Sequence, residues 1–142
     1  MWQGIRVHTP TGQPVPARGG KRAVVLVSGT GSNLAALLAA HEDEAFGLRV
    51  VGVVSDRPGI GALDIAKDAG VPTAVVRLAD FDSRSDWDLA VTKAVGVFEP
   101  DLVVLAGFMK LLGAPFLARF GGTTINTHPA LLPSFPGAHG VR

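Results

Sequence analysis

Cysteine is absent from the chain, so neither a disulfide framework nor a thiolate metal site is available. Charge of one sign is also scarce. Thirteen Lys and Arg stand against twelve Asp and Glu, a net of +1, which makes no case for nucleic acid or an anionic membrane as a bulk electrostatic partner. Of the four histidines, His8, His41, His128 and His139, none pairs with another at the short helical spacing of a zinc site. No apolar run approaches the roughly 18 residues of a membrane span, because Gly, Asp or Arg interrupts each one. Residues 1–21 lack the apolar core of a signal peptide, and internal repeats are missing throughout. These absences favour a reduced, cytoplasmic, metal-free protein, and they leave a homodimer open.

The 142 residues, 47% of them hydrophobic, suffice for one core but hardly for two. Residues 1–21 mix Pro, Gly, Gln and Thr with scattered basic residues and are expected to be a flexible arm. Order is expected from residue 22 onward. Ala23–Val27 is a continuous β-branched and aliphatic run suited to a strand buried on both faces, and a helix-forming stretch, LAALLAAHE, follows SGTGSN. Further strands are expected at Arg49–Val54, Thr73–Leu78 and Asp101–Ala106, and helices at Ala62–Ala69 and after the N-cap residues of Asp82–Asp86. Phe116, Leu117 and Phe120 are expected in the core. Regular alternation of β and α segments implies an α/β domain, three-layered and Rossmann-like, with about five mostly parallel strands and helices on both faces.

Three stretches carry chemistry. In SGTGSN, Ser28 to Asn33, a tight glycine turn leads into a helix start, where unpaired backbone amides and the helix dipole favour an anion, usually a phosphate. The turn is neither a dinucleotide fingerprint, since Leu34 stands at the third glycine position, nor a P-loop, since no Gly-Lys-Ser/Thr follows. Ser32 and Asn33 add hydroxyl and amide donors, and Gly31 lets an oxygen approach the backbone. A second stretch, Gly107 to Leu112, leaves the carboxyl end of the most apolar strand and offers a mostly apolar turn. The third is Asn126-Thr127-His128 in INTHPALLPSFPG, at a strand end. Asn126 and His128, at i and i+2 of an extended segment, point the same way, one able to donate to a developing oxyanion and the other to transfer a proton near neutral pH. Each stretch also has a plain structural alternative: a capped helix without ligand, core packing, and a turn satisfied by its own side chains.

Taken together, VVLVSGTGSNL (24–34), FDSR (81–84), DLVVLAGFMKLL (101–112) and INTHPALLPSFPG (125–137) resemble, in the same order, the folate-dependent phosphoribosylglycinamide formyltransferases, over residues 22 to 142. The resemblance implies the formyltransferase fold, here incomplete at its C-terminal side. It also implies formyl transfer from 10-formyltetrahydrofolate to the amine of 5'-phosphoribosylglycinamide in purine biosynthesis. It maps substrate phosphate binding onto Gly31, Ser32 and Asn33, and folate binding onto Arg84, Met109, Lys110, Leu111, Leu112 and Asn126. Asn126 and His128 become the catalytic pair, and no metal is implied. Lys110 stands where many relatives have Arg, which keeps a cation but loses a planar fork, and Thr30 stands where some have Asn. Family members carry a catalytic Asp well downstream of the His, beyond Arg142, so impaired activity is expected of these 142 residues alone. Related alternatives are a formyltetrahydrofolate deformylase and a methionyl-tRNA formyltransferase-like enzyme; a non-catalytic phosphate-binding fragment is the alternative from another class.

Overall fold

A computed structural model describes residues 4–9, 21–29, 31–41, 47–108 and 112–127. Six strands form one sheet in the order β1-β4-β3-β2-β5-β6. They are β1 (Ile5–His8), β2 (Lys21–Val27), β3 (Leu48–Ser55), β4 (Thr73–Val76), β5 (Leu102–Ala106) and β6 (Thr124–Thr127). All pairings from β2 to β6 are parallel, and only β1, against β4, is antiparallel. The helices are α1 (Ser32–His41), α2 (Gly61–Asp68), α3 (Arg84–Val97) and α4 (Ala114–Phe120). Among the described residues no helix is long and apolar enough to cross a membrane.

Buried strand residues alternate between two clusters, as the two-residue period of a strand dictates. Val24, Leu26, Val103 and Val76 pack with Trp87, Val91, Val95, Phe116 and Phe120 of α3 and α4. Val25, Val27, Val53 and Val104 pack instead with Leu34, Leu38, Leu63 and Ala66 of α1 and α2. The sheet is therefore sandwiched between two helical layers, α1–α2 on one face and α3–α4 on the other. This is the three-layer arrangement expected from the alternating pattern.

Four expectations are corrected. The segment expected to be an arm contributes β1, whose Ile5 to His8 pair with Val76 to Thr73. Its anchor is Gly4, at φ +81, where an added Cβ would lie 2.5 Å from the Phe81 ring. Proline and glycine on either side mask a four-residue β-forming run. Residues 10–20 of the expected arm lie outside the described residues. Lys21, also placed in the arm, begins β2, because its backbone amide bonds the Gly47 carbonyl at 2.9 Å. The strand expected at Thr73–Leu78 stops at Val76, and Leu78–Asp80 forms a single 3-10 turn. Leu117 is 51% exposed, unlike Phe116 and Phe120, since α4 turns only one edge to the sheet.

Candidate functional site

The glycine turn between β2 and α1 is shaped by α2. Gly31 has φ +96, a left-handed conformation that side chains with a Cβ rarely adopt, and a Cβ there would lie 2.7 Å from the Ala62 Cα. Its lack of a side chain is thus required by close approach of α2, a reason that appears only in the folded chain. The Gly29 carbonyl accepts from Ala62 N at 3.3 Å, tying the same turn to the start of α2. The Gly31 carbonyl accepts from Ala35 N at 2.8 Å, which makes this the first intrahelical bond of α1. At a helix start the first amides lack an intrahelical acceptor, and the positive end of the helix dipole lies at the same place. A strand, a glycine turn and a helix start thus stand in the order expected of SGTGSN. The Ser32 and Asn33 side chains, and Thr30, lie outside the described residues.

Strand order reverses between β2 and β5. From β2 the chain moves outward through β3 to β4, then returns to add β5 and β6 on the other side. At such a switch point the loops leaving neighbouring strands depart to opposite faces and leave a crevice beyond the carboxyl ends. Here α1 leaves β2 toward one face and α4 follows β5 on the other, so the glycine turn and the segment beginning at Gly107 flank this crevice.

Asn126 borders it from β6. It registers with Leu105, which registers with Leu26, so Asn126 lies two strands, about 10 Å, from the end of β2. In-register neighbours share a face, which puts Asn126 on the side of Leu26 and Leu105, the face covered by α3 and α4. Its side chain is exposed. His128, two residues on, lies outside the described residues, as do Met109, Lys110 and Leu111.

Arg84 belongs to the same face. Ser83 caps α3, its Oγ accepting from Asp86 N at 3.0 Å, so Arg84 occupies the first turn, as the N-cap pattern implied. The Arg84 guanidinium lies 5.4 Å from the centroid of the Trp87 ring, within cation-π range. Trp87 is fully buried, donates through Nε1 to the Val76 carbonyl at 2.8 Å, and lies parallel to Phe108 with centroids 6.3 Å apart. Arg84 and the start of the segment after β5, far apart in sequence, thus meet through one indole. Phe108 and Leu112 are half-buried against the core.

Two residues that sequence reasoning passed over emerge here. One is Trp87, which the sequence placed only within the helix expected after Asp82–Asp86. The other is Asp88, 2% exposed, whose Oδ1 accepts from Gly113 N at 2.6 Å and Oδ2 from Phe116 N at 2.8 Å. A signal existed, since Asp88 shares helical spacing with the buried Val91 and Val95 and so lies where an apolar residue would be expected. Among the described residues no group of three His, Asp or Glu could hold a metal ion.

Residues 21–142 match the model of a family described as formyl transferase. The chain is 56% identical over 127 residues to phosphoribosylglycinamide formyltransferase of Mycobacterium tuberculosis, covering 89% of this chain and 58% of that protein. It is 46% identical over 121 residues to the trifunctional purine biosynthetic protein adenosine-3 of Drosophila melanogaster, covering 84% of this chain and 9% of that one. Among solved structures, phosphoribosylglycinamide formyltransferase from Brucella melitensis superposes with a TM-score of 0.75 at 41% identity, covering 84% of this chain and 62% of that one. The chain therefore spans a little under two thirds of these single-function relatives.

Proposed function

Because this chain belongs to the formyl transferase family, we propose that it serves transfer of a formyl group from 10-formyltetrahydrofolate to the amine of 5'-phosphoribosylglycinamide, a step of purine biosynthesis carried out in the cytoplasm. The observation that carries this reading is the pairing of two unlike half-sites across one switch point. On one side lies a helix start, whose first amides favour a phosphate; on the other, Arg84 and the half-buried Phe108 and Leu112 offer cover to a flat heterocycle, and Asn126 borders the gap.

In this reading Gly31, Ser32 and Asn33 hold the substrate phosphate, chiefly through backbone amides, so the loss of any one side chain there is tolerated better than a change of backbone shape. Arg84, Met109, Lys110, Leu111 and Leu112 contact the folate. The substrate amine attacks the formyl carbon, a C–N bond forms, the bond from that carbon to N10 of the folate breaks, and one proton passes from the amine to N10. Charge develops on the formyl oxygen. The Asn126 amide and the protonated His128 imidazole donate to it. The folate supplies only the activated one-carbon unit.

Thermal denaturation of the chain with glycinamide ribonucleotide and, separately, with the stable analogue 10-formylfolate tests the reading. Stabilisation by both is expected. Stabilisation by the folate alone would favour a deformylase-like or tRNA-directed enzyme, by the ribonucleotide alone a phosphate-binding module, and by neither would end the proposal. In the formyl-transfer reaction, His128→Ala is expected to lower turnover about a hundredfold or more; near-normal turnover with folded protein rules His128 out.

A further inference from the structure

The face of α3 that carries Arg84 also carries Trp87 and Asp88, three and four residues on, and both reach the segment that follows β5. Trp87 lies flat against Phe108 at its beginning, and the Asp88 carboxylate holds the Gly113 and Phe116 amides at its end. That carboxylate is unusual. It is 2% exposed and caps a neighbouring helix, whose own N-cap residue, Gly113, has no side chain to do so. A buried carboxylate with both oxygens committed to backbone amides fixes position in a way a neutral side chain cannot, since only two acceptor atoms satisfy two donors.

We propose that Asp88 is a positioning residue for the folate half-site: it holds Leu112 and Gly113, as Trp87 holds Phe108, at a set place relative to Arg84. One helix face thereby sets the geometry of the donor side independently of the phosphate side. This rests on the reading of that half-site as the folate pocket. It adds a residue that makes no contact with substrate yet decides which of the two ligands is lost when it changes.

The test is Asp88→Asn in the full chain, with 10-formylfolate and glycinamide ribonucleotide titrated separately by calorimetry. An amide side chain keeps one acceptor and turns a donor toward the second amide, so 10-formylfolate affinity is expected to fall about tenfold or more. The ribonucleotide, whose phosphate is held on the other flank of the crevice, is expected to keep its affinity within about twofold. Asp88→Ala is expected to act the same way or more strongly; if it does not fold, Asp88→Asn decides. Unchanged folate affinity in folded Asp88→Asn, or equal losses for both ligands, would overturn the positioning role. Failure of the unmodified chain to bind 10-formylfolate would overturn the folate reading itself, and this proposal with it.

Discussion

Two glycines two residues apart do different work, and substitution separates them. Gly31 is fixed both by its φ of +96 and by the Ala62 backbone 2.7 Å from where a Cβ would stand. Gly31→Ala is therefore expected to cost about 2 kcal/mol or more of stability, from left-handed backbone strain and displacement of α2 together, read as a lowered Tm. A Cβ added at Gly29 would meet nothing within 4 Å, and the residue has no positive φ. Gly29→Ala should consequently leave stability within about 0.5 kcal/mol of the parent. A loss of ribonucleotide affinity in Gly29→Ala would then report an obstructed ligand rather than a damaged turn. Equal Tm losses in the two variants would contradict this division. The motif SGTGSN was plain in the sequence, but that Gly31 answers to α2 was not, since Ala62 stands far along the chain and meets Gly31 only on folding.

Among the elements, β1 is the one whose contribution to the fold and whose distance from the site diverge most. It adds a four-residue antiparallel ladder to β4 and packs Ile5 against the α3 face, yet β4 and β3 separate it from β2 and the switch point. Removal of residues 1–9 is expected to cost about 2 kcal/mol, from a few hydrogen bonds and one partly buried Ile, while ligand affinities stay within about twofold. The deletion also leaves β4, with its apolar TAVV, as an edge strand. Increased light scattering on concentration is the expected second sign. A large loss of affinity on deletion would show that β1 reaches the site. Helix α3 is the contrasting element, because three of its residues reach the segment after β5: Arg84 and Phe108 share the Trp87 ring, and Asp88 holds the Gly113 and Phe116 amides.

For the molecule as a whole, the crevice at the switch point makes a prediction that neither half-site makes alone. If the two ligands occupy opposite flanks, each binds the folded state without displacing the other. At a hundredfold excess over Kd each contributes about 2.7 kcal/mol, and the Tm with both present should exceed the Tm with either one. A Tm with both no higher than with the better single ligand would mean that they compete for one place. Under the proposed function each half-site is built on its own helical layer, since α1 and α4 lie on opposite faces of the sheet.

Neighbours along the chain were enough to specify the fold class and most of the local structure. Alternating apolar runs, glycine turns and the Ser83 cap are encoded over a few residues, and strand and helix periods follow from backbone geometry alone. Motif order likewise pointed to the formyl transferase family, which the match over residues 21–142 bears out. Whatever depends on partners distant in sequence had to wait for the folded sheet. Packing gave β1 its place on β4, ended β4 at Val76, set Gly31 against Ala62, joined Arg84 to Phe108 through Trp87, and assigned Asp88 to the amides of another helix. A residue type states which bonds it can make. Only the tertiary fold brings the other half of each bond within reach.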